Sequence, residues 1–171
     1  EKANPVLIKV LQDISQEPMV RHEAAEALGA IGSPESIEIL EQYKNDPVVE
    51  VAETCQLALE RIKWLQNPNN QNDPLKNPYN SVDPAPPADV EDVGTLKTTL
   101  LDENASLFER YRAMFALRNL QSKEAIEALG SALKCGSALF RHEIAFVLGQ
   151  TQSEHSVTYL QKSLEDCNEN E

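Results

Sequence analysis

The chain has little of what secreted or membrane-bound proteins depend on. It has three cysteines, Cys55, Cys135 and Cys167, and none lies in a Cys-x-x-Cys pair, so neither a disulfide framework nor a zinc ribbon is predicted. No apolar run reaches the roughly 18 residues of a membrane-spanning helix, and the N-terminus lacks a signal-peptide pattern. We therefore expect a soluble, cytoplasmic protein without a membrane partner.

Positive charge is also scarce. The 171 residues include 15 lysines and arginines against 28 aspartates and glutamates, for a net charge of −13. Because proteins bind nucleic acid by neutralising its phosphates with clustered basic side chains, we expect no nucleic-acid partner. Such acidity suits a cationic substrate or a basic partner protein, but it could also serve only to keep the protein in solution.

The sequence is rich in helical periodicity. Apolar residues recur three and four positions apart, and no useful length of chain alternates with a period of two. Helix starts are marked by a proline directly after Asn4, Glu17, Ser33 and Asp46. Similar phrases recur after 29 residues, at Val20 and Val49, and after 31 residues, at Glu109 and Phe140. A period near 30 residues with two helices in each predicts an all-α solenoid of helical hairpins.

The solenoid is predicted to consist of two halves, residues 1–66 and residues 92–171. The segment between them, residues 67–91, carries six of the ten prolines and many asparagines but almost no helical stripe. We therefore expect an extended Pro/Asn-rich linker that joins two sets of repeats rather than a third domain.

A short phrase beginning Arg-His-Glu occurs twice, over residues 21–29 and 141–149. The stripe of the first copy that is predicted to face the core consists of Val20, Ala24, Ala27, Leu28 and Ile31. At about 100° per residue, His22 lies away from that stripe, on a face of small residues that ends at Gly29. His142 is placed in the same way. We expect these faces to leave room for a ligand.

Histidine beside glutamate is a combination typical of metal sites. Imidazole and carboxylate ligands without thiolate suit iron or manganese better than structural zinc. The other repeats carry Val51 and Tyr111 at the same register, so packing of the repeats does not require a His-Glu pair. The predicted metal-site residues are His22, Glu23, His142 and Glu143. A general acid–base role for the same pairs stays open, whereas His155 stands alone and is predicted to be solvated.

Several phrases of the chain resemble deoxyhypusine hydroxylases. The similar segments are residues 17–32, 46–55, 81–87, 107–119 and 136–143. The first and the last of these resemble the second and third of the four His-Glu motifs of that family. The similarity extends over nearly the whole chain, through helices and linker alike.

The resemblance implies a HEAT-repeat monooxygenase with a non-haem di-iron centre, which holds two Fe²⁺ ions in the complete enzyme. Such an enzyme uses molecular oxygen to hydroxylate the deoxyhypusine side chain of a translation initiation factor, completing hypusine. His22 and His142 would then ligate iron. Glu23 and Glu143 are the implied catalytic residues, and they would either ligate iron or bind the amine of the substrate.

The chain departs from this family's pattern in the number of motifs. One repeat before His22 and one repeat after His142 both fall outside the sequence, so two of the four His-Glu pairs are absent. We therefore expect a central fragment of the enzyme that is inactive alone. Two pairs could hold one metal ion if the halves face each other, whereas two ions would need four pairs. The alternatives are a non-catalytic HEAT-repeat binding module and a shortened form that binds the substrate without turnover.

Overall fold

The computed structural model describes residues 2–70 and 78–169, and within these ranges the chain is helical without any β-strand. The predicted all-α class is therefore confirmed. The α-helices of the described residues are α1 (Asn4–Gln12), α2 (Pro18–Ile31), α3 (Ile37–Tyr43), α4 (Val49–Gln66), α5 (Val93–Leu101), α6 (Leu107–Leu120), α7 (Lys123–Ser131), α8 (Ala138–Thr151) and α9 (Val157–Leu164). None of them is both long and apolar enough to cross a lipid bilayer.

The helix ends follow local signals in the sequence. Proline occupies the first turn of α1 and α2, where its missing N–H costs no hydrogen bond. Four later helices begin at a side chain that accepts a hydrogen bond from the first turn, and these caps are Asp92, Ser106, Ser122 and Ser137. Gly32, Gln121 and Gln152 end α2, α6 and α8 in the left-handed conformation.

The helices pair into hairpins within two compact units. The first unit comprises residues 2–70 with Ser81–Ala85, and the second comprises residues 78–80 with residues 86–169. In the first unit α1 packs on α2, α3 packs on α4, and α2 lies against α4. In the second unit α5 and α7 pair in the same way with α6 and α8. The hairpins are thus the repeating units that the sequence predicts.

The same hydrogen bond from an arginine to a backbone oxygen occurs in both units. Arg21 Nε donates to Leu11 O at 2.9 Å, and Arg110 Nε donates to Leu100 O at 3.0 Å. In both cases the arginine lies in the second helix of a hairpin and its acceptor lies at the end of the first helix. A carbonyl at a helix C-terminus lacks an intrahelical partner, so this arginine satisfies it and ties the two helices together.

Each unit encloses its own apolar core. In the first unit the buried cluster consists of Leu11, Ala24, Ala25, Leu28, Ile39, Leu40, Val51, Cys55, Ala58, Leu59 and Ile62. In the second unit the large buried side chains include Phe108, Tyr111, Met114, Phe115, Leu117, Ile126, Phe140, Ile144 and Leu148. Tyr111 packs its ring against Phe115 and Phe140, so it serves the core.

Part of the predicted linker, residues 71–77, lies outside the described residues. The described remainder is bound to its own unit at several points. Arg61 Nε donates to Asp83 O at 3.1 Å, and Ala85 is fully buried. In the second unit the Tyr79 ring lies 4.7 Å from the Arg118 guanidinium carbon. The boundaries at residues 66 and 92 stay a prediction.

The buried arc of α2 differs from the predicted one. Val20 and Ile31, which the helical spacing assigns to the core, are 43% and 40% exposed. The side chains of Ala25 and His22 are buried instead. The reason is that α2 is covered by α1 on one side and by α4 on another, which turns its buried face towards the small residues.

Candidate metal centre

The small-residue face of α2 is a helix–helix contact, so the expectation that it leaves room for a ligand is wrong for this copy. A β-carbon built on Gly29 would lie 2.7 Å from the Ala58 Cβ of α4 and 2.9 Å from its Cα. Ala25, on the same face, is fully buried. Small side chains are needed there because the backbones of two neighbouring repeats approach so closely.

The His22 side chain lies at the edge of this contact. The residue is 6% exposed. Its Nδ1 lies 2.6 Å from the hydroxyl oxygen of Thr54 on α4. Its Nε2 lies 3.6 Å from a carboxylate oxygen of Glu26 and 4.0 Å from one of Glu23. One imidazole nitrogen therefore faces a hydroxyl, and the other faces two carboxylates of its own helix.

The structure adds Glu26 to the residues that the sequence indicated. Glu26 lies four positions after His22, a spacing that places two side chains next to each other on a helix. Burial raises the pKa of the Glu26 carboxyl, and the negative charge of Glu23 raises it further. A cation bound between these carboxylates would relieve that repulsion, which is the electrostatic condition of a metal or amine site.

Arg21, which directly precedes His22, connects the start of α2 to the next repeat. Its Nη2 forms an ion pair with Asp46 Oδ2 at 2.5 Å, and both side chains are buried. Burial raises the pKa of the Asp46 carboxyl, but the hydrogen bonds from Arg21 and from the Val48 N–H outweigh it, so the pKa lies below its usual value. The pair helps to fix the position of His22.

We predict that this pair makes the chain sensitive to acid. Because the pKa of Asp46 is lower in the folded state than in the unfolded chain, the pair contributes stability above about pH 4 and loses it as the pH falls further. Asp46→Asn should lower the free energy of unfolding by about 2 kcal/mol at pH 7. The difference from the unsubstituted chain should shrink towards pH 2. Urea unfolding at several pH values measures both effects, and a pH-independent difference would contradict the prediction.

The second Arg-His-Glu phrase lies in α8. Ser137 caps this helix by accepting a hydrogen bond from the Phe140 N–H at 3.1 Å. His142 is exposed and Glu143 is partly buried. Among the described residues, no heavy atom lies within 4 Å of a β-carbon built on Gly149, in contrast to Gly29. That this face leaves room for a ligand stays a prediction.

The four predicted site residues thus fall into two groups. In the first unit the carboxylates of Glu23 and Glu26 lie 4.0 and 3.6 Å from the His22 Nε2, without forming a three-residue metal site. In the second unit it places His142 and Glu143 side by side on one helix. That the two groups share one metal centre stays a prediction.

The donor types fit iron, but each group alone is an incomplete ligand set. Imidazole nitrogen and carboxylate oxygen are ligands that ferrous iron accepts. Burial raises the pKa of the Cys55 thiol to about 12, so that side chain offers no thiolate. Among residues 2–70 and 78–169, no three or more His, Cys, Asp or Glu side chains are grouped so that they could hold a metal ion.

Two family models of helical repeats match this chain. Residues 1–60 match the family model of HEAT repeats. Residues 109–135 and 140–166 match the model of the PBS lyase HEAT-like repeat. The chain is therefore a HEAT-repeat protein, and the predicted solenoid of helical hairpins is confirmed.

The particular relatives are deoxyhypusine hydroxylases. The chain is 62% identical to the human deoxyhypusine hydroxylase, over 99% of this chain and 55% of the relative. It is 60% identical to the Danio rerio protein and 58% identical to the Drosophila melanogaster protein, in each case over 99% of this chain and 56% of the relative.

A solved structure agrees with these relatives. The structure of human deoxyhypusine hydroxylase in complex with glycerol matches with a TM-score of 0.92 and 62% identity, covering 99% of this chain and 58% of that chain. The resemblance to deoxyhypusine hydroxylase that the sequence predicts is therefore confirmed. The chain spans about half the length of the curated relatives it matches.

Proposed function

We propose that this chain carries part of the metal centre of an iron-dependent deoxyhypusine hydroxylase, a monooxygenase of hypusine biosynthesis. The observation that supports it best is the environment of His22. This histidine is buried, and its Nε2 faces the carboxylates of Glu23 and Glu26 at 4.0 and 3.6 Å. The surrounding sequence is 62% identical to a human protein of that name.

The residues proposed to hold iron are His22 and Glu23 of the first unit and His142 and Glu143 of the second. When bound, iron would supply the activation of molecular oxygen for insertion into a carbon–hydrogen bond. The chain's own residues would present nitrogen and oxygen donors from helices. His22 is buried where α2 packs on α4, so its ring would need little reorganisation on binding.

The proposed substrate is the deoxyhypusine side chain of a translation initiation factor. Its amine is cationic, and the chain carries a net charge of −13, which would attract such a substrate at long range. Glu23 exposes 72% of its side chain and Glu143 is partly buried, so both carboxylates are accessible for contact with an amine or with iron. A cytoplasmic location, with no membrane or nucleic-acid partner, completes the proposal.

We expect the chain alone to bind fewer than two iron ions and to lack hydroxylase activity. Sites of the non-haem iron class commonly use two histidines and one carboxylate per metal, and this sequence has three histidines in total, of which His155 stands apart. The test is anaerobic titration with ferrous iron, measurement of bound iron, and a hydroxylation assay on a protein bearing deoxyhypusine.

The results of this test separate the possible functions. Saturable binding of ferrous iron by the purified chain would support the proposal, with turnover restored only when the missing motifs are supplied by a second chain. A two-iron site in the monomer that turns over substrate would contradict the expected inactivity. Absence of any iron binding would favour the alternative, a non-catalytic HEAT-repeat binding module.

That alternative has one observation in its favour, namely that the described residues contain no three-donor metal group. Under it, His22 would serve only to pack one repeat on the next. Binding of the translation factor that is unaffected by iron and by chelators would support the module. Iron-dependent binding or turnover would support the hydroxylase.

A further inference from the structure

Thr54 lies in α4, one repeat beyond His22, and is 4% exposed. Its hydroxyl oxygen lies 2.6 Å from His22 Nδ1 and 2.7 Å from the backbone oxygen of Glu50. A hydroxyl carries one proton, and a carbonyl oxygen can only accept a hydrogen bond. Both contacts are therefore hydrogen bonds only if Thr54 donates to Glu50 O and accepts the Nδ1–H of His22.

We propose that Thr54 is a positioning residue that holds His22 as the Nδ1–H tautomer and thereby puts its basic lone pair on Nε2. Nε2 is the nitrogen that faces Glu26 and Glu23. A histidine that binds a metal through one nitrogen donates the hydrogen on the other to an oxygen acceptor, which fixes the tautomer and the ring plane. As far as it concerns iron, this inference rests on the proposed function.

The direction of the Thr54 hydroxyl is set by α4 itself. Threonine inside a helix commonly donates to the carbonyl four residues before it, and here that carbonyl belongs to Glu50. Once this proton is committed, the oxygen presents only lone pairs to α2. The geometry of one repeat thus determines the protonation pattern of the histidine in the repeat before it.

Simple packing of repeat on repeat is the competing explanation of this contact. The two explanations differ in what a valine would do. Valine is β-branched like threonine and has nearly the same shape, so it would preserve the packing but has no oxygen to accept the Nδ1–H. Serine keeps the hydroxyl and loses a methyl group, so it would preserve the hydrogen bond and weaken the packing.

The experiment compares Thr54→Val and Thr54→Ser with the unsubstituted chain in two measurements. The first is ¹⁵N NMR of the imidazole nitrogens in the metal-free chain, recorded over a pH series that extends to the range in which the spectrum shows a neutral His22 ring. We expect His22 to be protonated at Nδ1 in the unsubstituted chain and in Thr54→Ser, and to populate both tautomers in Thr54→Val. The second is ferrous iron affinity, which should fall about 10–100-fold in Thr54→Val and be largely retained in Thr54→Ser.

Two results would overturn the proposal. One is a His22 that carries its proton on Nε2 in the unsubstituted chain, which the spectrum decides even if Thr54→Val fails to fold. The other is a folded Thr54→Val that keeps both the tautomer and the iron affinity. If the unsubstituted chain binds no iron, the proposed function fails, and the metal-free spectra still decide the role of Thr54.

Discussion

Replacing His22 with alanine is expected to lower the affinity for ferrous iron by about 100-fold or more. The loss of a partner of a metal ligand already costs roughly 10–100-fold, and the loss of the ligand itself should exceed that. Helix content should be unchanged, because alanine favours a helix more than histidine does. Anaerobic iron titration against a competing chelator measures the affinity, and far-ultraviolet circular dichroism measures the helix content.

The chain offers a matched control for this experiment. His155 is the remaining histidine outside the Arg-His-Glu phrases, and it is exposed. His155→Ala should leave the iron affinity within about two-fold, since this exposed histidine lies outside both Arg-His-Glu phrases and has no part in the proposed site. His142→Ala should reduce the affinity if both groups contribute to the same ion. An iron affinity that His22→Ala leaves unchanged, or that His155→Ala lowers equally, would refute the role of His22.

Much of the fold could be predicted because its signals are local. Proline at the first helical position and apolar residues three and four apart depend only on neighbouring residues. They gave the starts of α1 and α2 correctly, whereas α3 and α4 begin three and two residues after Pro34 and Pro47. Gly32 lies at the end of α2, where a left-handed residue closes the helix. The repeat period follows from comparing the chain with itself, so it needs no knowledge of packing.

The surroundings of the helix faces could not be predicted in the same way. A helical stripe shows which residues share a face, but it does not show which element covers that face. The stripe of small residues beside His22 is covered by α4, whereas at Gly149 no heavy atom of the described residues lies within 4 Å. Both copies carry His, Ala and Gly at the equivalent positions of the stripe, so the sequence pattern alone does not show that α4 covers the first copy.

The sequence could indicate one partner of His22 but not the other. Glu26 lies four residues away on the same helix, so its spacing was a usable signal, but its partial burial was not visible. Thr54 lies 32 residues away, and its contact depends on the register between α2 and α4. A polar residue on a neighbouring helix has no local pattern that reveals such a contact.

The difference between the two glycine positions leads to a second large effect. Gly29→Ala should destabilise the chain by about 1–3 kcal/mol, because the added methyl group would overlap the Ala58 backbone of α4 and force the two helices apart. Gly149→Ala adds the same methyl group where no heavy atom of the described residues lies within 4 Å. It should stabilise the chain by up to about 1 kcal/mol, since alanine is the better helix former.

The pair of substitutions separates packing from helix propensity, because the chemical change is the same in both. Urea unfolding of the two variants should therefore shift in opposite directions, with a difference of about 1–4 kcal/mol between their free energies of unfolding. Restoring space by Ala58→Gly should recover part of the loss in Gly29→Ala, as expected for two residues in contact. If both variants were stabilised to the same extent, the close approach of α2 and α4 would be wrong, and so would the contact that places Thr54 beside His22.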